Sequence, residues 1–303
     1  MASEVRQRAK AQSASPLGPL GIEAALEAQA DPSIQPRPKI FDEFALTDRV
    51  ALVSGGNRGL GLEMAIALAE AGARAVYCFD LPEKPSEEFV ASQEYVSKLG
   101  NNSRLVYFAA DVRDQQLLWK KAEEIGDKEQ RLDICVAAAG ILKPHMDCLE
   151  YPADVFREVV EVNTTGVLFT AQAAGRQMAR FGRGGSIILI ASMSGSITNR
   201  DHAWVSYNSS KSAVLQMARS MACELGEKKI RVNTLSPGHI YTKMTAAYLD
   251  NQPHLLDKWS SMNPLGRLGR PDELRGVVAW LASDASTFCT GSDIIVSGGH
   301  HSW

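Results

Sequence analysis

Short apolar runs alternate with longer helix-patterned segments from Arg49 to the end of the chain. The runs are rich in β-branched residues and lack the two-residue polar alternation of a sheet with one solvated face. Seven of them are predicted as strands, at 50–53, 75–79, 105–109, 132–138, 186–190, 231–235 and 293–296. Unalternating strands separated by helices indicate a parallel sheet covered on both faces. We therefore expect an α/β fold with one doubly wound domain of about seven strands.

The first 40 residues differ in composition from the rest of the chain. They contain five prolines and few large apolar groups, which favours a mostly disordered N-terminal extension over residues 1–40 with a short helix around Ile22 to Ala30. A transit peptide is the alternative interpretation of Arg6, Arg8 and Lys10, but Glu4 and the lack of an arginine face favour a plain tail. Residues 41–303 are then the folded domain.

Overall charge and cysteine usage narrow the function class. A net charge of −3 gives no electrostatic attraction to nucleic acid or to anionic membranes. No apolar run reaches the ~20 residues of a membrane helix. The five cysteines are odd in number and lack metal-ligand spacing, which indicates free thiols in a reducing compartment, the cytoplasm. We expect a small-molecule substrate, with no nucleic-acid, membrane or metal partner.

A glycine-rich segment follows the first predicted strand and opens the next helix: Ser54-Gly55-Gly56-Asn57-Arg58-Gly59-Leu60-Gly61. Gly55 suits a tight turn, and Gly59 and Gly61 allow the backbone to approach a pyrophosphate and the helix to pack on the strand. The N–H groups of the helix N-terminus favour phosphate. This strand–turn–helix context predicts a dinucleotide site.

The residues at the ends of the next strands indicate which dinucleotide the chain binds. Asp80 closes the second strand, where a carboxylate accepts two ribose hydroxyls and repels a 2'-phosphate, so NAD(H) is favoured. Arg58 favours the alternative cofactor, NADP(H), because a cation beside the loop could hold the 2'-phosphate. We expect this alternative less than NAD(H). Asp111-Val112 ends the third strand beside the expected adenine, and the small Ala139-Gly140 ends the fourth.

Tyr207 and Lys211 lie four residues apart at the start of a predicted helix over Val205 to Leu225. This spacing places the phenol and the ammonium on one face of the helix. A free tyrosine has a pKa near ~10, and a neighbouring cation favours its phenolate. The pair is therefore predicted to transfer a proton near neutral pH.

The chain resembles the short-chain dehydrogenase/reductase family in a set of motifs that follow one another in a fixed order. They are the glycine loop, Asp111, Ala139-Gly140, Asn163, Ser192, Tyr207, Lys211 and Pro237-Gly238. The resemblance covers about residues 45–303. It implies a single Rossmann-type domain, a homo-oligomer (tetramer or dimer) and a catalytic Asn163–Ser192–Tyr207–Lys211 tetrad. The cofactor contacts that we expect are Gly55, Asn57, Arg58, Gly59, Leu60, Gly61, Asp80, Asp111, Val112, Ala139, Gly140, Asn163, Tyr207, Lys211, Pro237, Gly238, Ile240 and Thr242.

The resemblance also implies a role for each tetrad residue. Tyr207 is the acid–base group, Lys211 lowers its pKa and binds the nicotinamide ribose, and Asn163 holds a proton-relaying water. Ser192 hydrogen-bonds the substrate oxygen. Ser194 is the alternative, because it fits the usual family spacing to the tyrosine, whereas Ser192 fits the local strand-end pattern.

The nearest likeness is to fungal polyol and ketose oxidoreductases acting on D-arabinitol, mannitol, sorbose or L-xylulose. It lies in Ser192-Met193-Ser194-Gly195, 207–211, Asn263-Pro264-Leu265-Gly266-Arg267 and 298–303. A substrate loop is predicted over about 239–270. Two alternatives stay open: an NADP-dependent reductase of aromatic or polyketide-derived ketones, and a nucleotide-binding regulator without catalysis. His145 and His202 are interpreted as ordinary loop histidines, and His300-His301 as a terminal packing segment.

Overall fold

The computed structural model describes residues 15–242, 245–246, 249 and 254–303. Its seven strands form one parallel sheet in the order β3-β2-β1-β4-β5-β6-β7. The strands are β1 Val50–Ser54, β2 Ala75–Asp80, β3 Arg104–Ala109, β4 Ile134–Ala137, β5 Gly185–Ile190, β6 Ile230–Pro237 and β7 Asp293–Val296. This is the doubly wound order, with a switch point between β1 and β4. The predicted fold class is confirmed, and each predicted strand is present.

Helices connect the strands and cover both faces of the sheet. They are α1 Gly21–Ala30, α2 Ile40–Phe44, α3 Gly59–Glu70, α4 Glu87–Ser97, α5 Gln115–Glu129, α6 Ala153–Val160, α7 Gly166–Phe181, α8 Val205–Leu225, α9 His254–Ser261 and α10 Arg275–Ala282. One apolar core joins the sheet to α5, α7 and α8, and a second joins it to α3, α4 and α10.

The strand residues alternate between the two cores. Val50 and Leu52 of β1 pack into the first core, and Ala51 and Val53 pack into the second. Side chains of an extended strand point to opposite faces, and here both faces are apolar. Burying each such Val or Leu side chain contributes about 1.5–3 kcal/mol. This double burial explains why the strands read as continuous apolar runs.

The N-terminal region lies apart from the cores. Helix α1 has no buried residue, and its Ile22 and Leu26 side chains are largely exposed. The helix occupies the place predicted for it, whereas residues 1–14 lie outside the described residues and disorder of the extension stays a prediction. Among the helices that the structure describes, none combines the length and the apolar character that a bilayer crossing requires.

The segment predicted as one long helix within 153–181 has an interruption. A π-helical turn, Glu161–Thr165, separates α6 from α7, and the Gly166 N–H donates to the carbonyl of Glu161 five residues earlier. Wider turns of this kind occur often at functional sites. Asn163 lies in its centre, so the local backbone irregularity coincides with a predicted site residue.

Candidate active site

The glycine loop lies at the carboxyl end of β1, where the strand order reverses. Gly55 has φ +68°, and a Cβ there would lie 2.8 Å from the Ala139 nitrogen. A Cβ at Gly61 would lie 2.1 Å from the Gly55 carbonyl oxygen. Both positions therefore require glycine, which brings the β1 turn, the end of β4 and the start of α3 together. No side chain caps α3 at its N-cap residue, Arg58, so its first N–H groups are available to a phosphate.

Asp80 at the end of β2 faces this loop. Its Oδ2 accepts from the Asn57 N–H at 3.1 Å, and its Oδ1 accepts from the Leu81 N–H at 2.8 Å. Asn57 is buried and is held in turn by Ser86, whose N–H donates to Asn57 Oδ1 at 2.8 Å. The carboxylate is thus positioned beside the glycine loop, as a ribose-binding group must be, while Arg58 is exposed.

At the end of β3 the two predicted adenine-site residues differ in environment. The Asp111 carboxylate pairs with Arg113 at 2.6 Å and accepts from the Arg113 N–H at 2.9 Å. These interactions, the side-chain hydrogen bond first, lower the pKa of Asp111. Val112 is buried against the start of α7, where a Cβ on Gly166 would lie 2.6 Å from Val112 Cγ2. Sequence reasoning did not anticipate Arg113.

Tyr207 and Lys211 lie on one face of α8, as their spacing predicts. The Lys211 Nζ is 5.6 Å from the centroid of the Tyr207 ring and donates to the carbonyl of Ile190 at 2.9 Å. Gly140 lies opposite, and a Cβ there would be 3.6 Å from Lys211 Nζ and 3.4 Å from Asn163 Oδ1. The ends of β4 and β5, the π-helical turn and α8 therefore converge on one point.

The pKa values of the pair differ from the expectation. Burial raises the pKa of Tyr207, and its side-chain hydrogen bond with Ser192 acts in the opposite direction. Lys211 does not contribute to the shift of this pKa, so the expected lowering by the ammonium is not found. Burial also lowers the pKa of Lys211 to about 8. Both groups are thus shifted toward their neutral forms.

The structure distinguishes the two candidate serines. The Ser192 side chain acts on Tyr207 and opposes the rise of its pKa, and the Ser192 Oγ accepts from the Ser194 N–H at 3.1 Å. Ser194 Oγ instead accepts from Asn199 Nδ2 at 2.6 Å. The strand-end pattern therefore selected the serine beside the tyrosine, and the spacing argument pointed to its neighbour in the same turn.

Asn163 is completely buried, and its side chain is fully used. Its Oδ1 accepts from the Ile141 N–H at 2.8 Å, while its Nδ2 donates to the Ile141 carbonyl at 2.9 Å and to Ser210 Oγ at 3.1 Å. These bonds fix the loop after β4 against α8. If this residue holds a water for Lys211, its main chain must do so.

The predicted nicotinamide-side residues follow β6. Gly238 approaches Ser297 and Met193 closely, since a Cβ there would lie 2.6 Å from Ser297 Cα and 3.2 Å from Met193 Sδ. Ile240 is buried and forms a bridge with Gly269. The Thr242 N–H donates to Thr245 Oγ1 at 2.7 Å. Parts of the predicted substrate loop, at 243–244, 247–248 and 250–253, lie outside the described residues.

Six rings form a cluster beside Tyr207; the sequence places His202 and His239 among the polar groups of a substrate pocket but does not predict the contacts within the cluster. We call it the ring cluster: His145, His202, Trp204, His239, Trp259 and His300. The Trp204 and Tyr207 ring centroids are 6.3 Å apart. His202, interpreted as an ordinary loop residue, bonds through Nδ1 to the Arg200 carbonyl at 2.7 Å and accepts at Nε2 from Trp259 at 3.1 Å. No local pattern marks contacts between residues so far apart in the chain.

Known proteins share this arrangement in sequence. A family model described as "Enoyl-(Acyl carrier protein) reductase" matches residues 55–301. Sorbose reductase of Schizosaccharomyces pombe is 37% identical over 276 residues, which is 85% of this chain and 97% of the relative. A short-chain dehydrogenase/reductase, notP', of Aspergillus versicolor is also 37% identical, covering 91% of this chain and 94% of the relative.

Solved structures match the fold. Gluconate 5-dehydrogenase of Burkholderia cenocepacia, in complex with NADP and tartrate, superposes with a TM-score of 0.78 at 31% identity, covering 87% of this chain and 99% of that one. Carveol dehydrogenase of Mycobacterium avium, in complex with NAD, gives 0.77 at 28% identity, covering 84% and 98%. On the family match, the sequence relatives and the shared fold, the chain belongs to the short-chain dehydrogenase/reductase family of nicotinamide-dependent oxidoreductases that act on CH–OH groups.

Proposed function

We propose that the protein transfers hydride reversibly between NAD(H) and a secondary alcohol or ketone of a sugar alcohol/ketose pair. The observation that carries the proposal is the convergence of three residues on Tyr207: the Ser192 side chain opposes the rise of its pKa, Lys211 lies one helical turn away, and Gly140 leaves room opposite. Sorbose reductase among the relatives supports the substrate class.

The residues divide the chemistry between them. When bound, the nicotinamide supplies a hydride donor or acceptor. Tyr207 gives a proton to the substrate oxygen during reduction and takes one during oxidation. Ser192 donates a hydrogen bond to the same oxygen where negative charge develops. Lys211 holds the ribose, and the main chain of Asn163 holds the water that returns a proton to it.

We propose NAD(H) as the preferred cofactor. Asp80 is fixed by two backbone N–H donors beside the glycine loop, so its negative charge repels any 2'-phosphate placed there. Replacement of Asp80 by Ala should shift the ratio of kcat/KM for NAD over NADP by about tenfold toward NADP, since that repulsion is lost. Asp48→Ala, at an exposed carboxylate far from the loop, is the control. A wild type that prefers NADPH contradicts the assignment.

A second candidate is an NADP-dependent reductase of aromatic or polyketide-derived ketones. The exposed cation Arg58 at the N-cap of α3 favours it, because a guanidinium there can hold a 2'-phosphate. The matching relative with NADP in its complex shows that the same fold accepts this cofactor in that protein. Both candidates use the same tyrosine and serine, so cofactor and substrate preference separate them.

We also propose a cytoplasmic homo-oligomer, a tetramer or dimer. All five cysteines are free thiols, which supports a reducing compartment. Helices α7 and α8 carry half-buried apolar side chains at the margin of the first core, namely Phe169, Met217, Met221 and Leu225, whose exposed parts a second copy of the chain can cover. Light scattering during size-exclusion chromatography tests the assembly, and a monomer at micromolar concentration contradicts it.

The function is tested with a panel of polyols and ketoses and both cofactors. Turnover is followed by the absorbance of the reduced cofactor, and non-hydroxylated aromatic ketones are included for the second candidate. The proposal expects the highest kcat/KM with a ketose and NADH. Turnover restricted to aromatic ketones with NADPH supports the second candidate, and binding of NADH without turnover of any substrate supports a non-catalytic regulator.

A further inference from the structure

His239 lies in the ring cluster, which adjoins Tyr207 through His202 and Trp204. It follows Pro237-Gly238 at the end of β6, and Gly238 packs against Met193, the residue after Ser192. The Ser192 side chain acts on Tyr207, so the turn that positions the reaction also borders the loop that carries His239. A side chain here is placed to contact the part of a substrate that extends from the reacting carbon.

Packing holds the His239 ring in one orientation. The indole of Trp259 stacks on it with a centroid distance of 4.5 Å and an interplanar angle of 5°, and His300 meets it edge-on at 5.1 Å. Trp259 is itself fixed by its hydrogen bond to His202 at 3.1 Å. A polar group held by such surroundings loses little rotational freedom when it binds a ligand.

The Nε2 atom of this ring is buried without a partner among the described residues. His239 as a whole is 8% exposed. An unpaired buried polar atom costs about 1–3 kcal/mol, and native structures keep few of them. In contrast, both nitrogens of His202 are bonded, and Nδ1 of His300 bonds to Asn263 at 2.9 Å.

The neutral state of the imidazole indicates which kind of ligand group can hydrogen-bond to Nε2. Burial, followed by the neighbouring His300 and His202, lowers the pKa of His239 to about 3. The imidazole is therefore uncharged at neutral pH and offers one donor and one acceptor, which suits a hydroxyl group better than a carboxylate.

Helix α9 covers the His239 ring through the indole of Trp259, which is buried with Leu255 in an apolar cluster that includes Trp204. Besides the Trp259–His202 hydrogen bond, an exposed ion pair between Lys258 and Asp201, at 2.7 Å, joins α9 to the loop before α8. Exposed pairs of this kind contribute about 0–1 kcal/mol. The ion pair is therefore a minor part of the attachment of α9, and the buried Trp259 indole is the larger part.

We propose that Nε2 of His239 recognises a hydroxyl group of an uncharged polyhydroxy substrate, on a carbon other than the one that reacts. This makes His239 a specificity-determining residue, and the inference rests on the proposed function. It distinguishes neutral sugar alcohols and ketoses from sugar acids, whose carboxylate would need a cation at this position.

The test compares one carbonyl with and without neighbouring hydroxyls, in wild type and in His239→Phe. Phenylalanine keeps the stacking surface for Trp259 and removes both nitrogens. Sorbose and 2-hexanone share the position of the carbonyl. We expect kcat/KM for sorbose to fall about tenfold or more, while kcat/KM for 2-hexanone stays within about twofold. His301→Phe is the matched control, because His301 bonds to Ser297 outside the ring cluster; its ratio should equal that of wild type.

The possible results distinguish a failure of the role of His239 from a failure of the proposed function. Equal losses on both substrates in His239→Phe, with wild type active on sorbose, contradict this inference alone. Wild type that turns over no polyol or ketose contradicts the proposed function as well. Should His239→Phe fail to fold, a series of monodeoxysorboses with wild type answers the same question. One deoxy position should lower kcat/KM about tenfold or more, and unchanged values at every position overturn the inference.

Discussion

The two edges of the sheet use buried polar groups in opposite ways. At the amino ends of the strands, Glu129 accepts from Tyr77 at 2.5 Å, from Arg104 and from Arg74. At the carboxyl ends, Tyr207 meets Ser192, and the buried His239 Nε2 and Asn199 Oδ1 have no partner among the described residues. The amino edge pairs its charged groups with one another, although Arg74 Nε has no partner among the described residues, while the carboxyl edge keeps hydrogen-bonding capacity on neutral groups for a ligand.

Two tyrosines, Tyr77 at the amino edge and Tyr207 at the carboxyl edge, show the difference. Burial and then the Glu129 carboxylate raise the pKa of Tyr77 to about 12, so its proton is held in a short hydrogen bond. Burial also raises the pKa of Tyr207, but its partner is a neutral hydroxyl that acts in the opposite direction. A tyrosine bonded to a carboxylate stabilises the fold, whereas one bonded to a serine remains free to exchange its proton with a substrate.

The largest effect is expected at the carboxyl edge. Ser192→Ala removes a donor from the developing negative charge and should lower kcat by about 10²-fold, with little change in the free energy of unfolding. Ser194→Ala is the control, because its hydroxyl bonds to Asn199 instead of Tyr207. Steady-state kinetics check both variants. A larger loss of kcat in Ser194→Ala would assign the catalytic role to that serine.

At the amino edge a substitution should affect stability and leave catalysis intact. Glu129→Gln leaves two arginines without their carboxylate and should lower the free energy of unfolding by about 2–3 kcal/mol, less than for a fully enclosed pair because both arginines are partly exposed. Urea unfolding measures this loss, and kcat below the transition should match wild type. Asp48→Asn, at an exposed carboxylate, should cost under about 1 kcal/mol. A selective loss of kcat in Glu129→Gln would contradict the contrast between the edges.

Acid should destabilise the protein because buried histidines at the carboxyl edge resist protonation in the folded chain. The pKa of His239 is about 3 in the folded chain against 6.5 when exposed, so the unfolded chain binds the extra proton between these values. Stability is therefore complete above pH 6.5 and falls as the pH drops, by about 1–2 kcal/mol between pH 7 and pH 5 from this group. The buried neighbours His202 and His300 shift in the same direction. His239→Phe should show a shallower loss, and an unchanged pH slope would contradict this account.

Regular structure and the ordered motifs were predictable from sequence for a physical reason. Strands buried on both faces read as apolar runs, and the glycine loop reads as a turn because backbone contacts at Gly55 and Gly61 exclude any side chain. These sequence patterns are local, so they can be recognised without knowledge of the tertiary contacts. The same holds for Tyr207 and Lys211, whose spacing alone places them on one helix face.

The remaining features depend on contacts between distant segments. The π-helical turn at Glu161–Thr165 has no marker in its residue types, and the ring cluster joins four loops. The shifted pKa of Tyr207 reflects burial, which the Tyr-x-x-x-Lys spacing does not report. Arg113 and the Glu129 network were missed for the same reason, since charged residues read as solvated until their partners are known.

The most direct test of the central claim is a single-turnover reduction of a ketose by Tyr207→Phe, with the affinity for NADH measured in parallel. The account predicts that NADH binds within about threefold of wild type, because the ring and its packing remain, while the rate of hydride transfer falls by about 10²–10⁴-fold without the hydroxyl proton. Wild-type transfer rates in Tyr207→Phe, with NADH bound normally, would contradict the assignment of Tyr207 as the acid–base group.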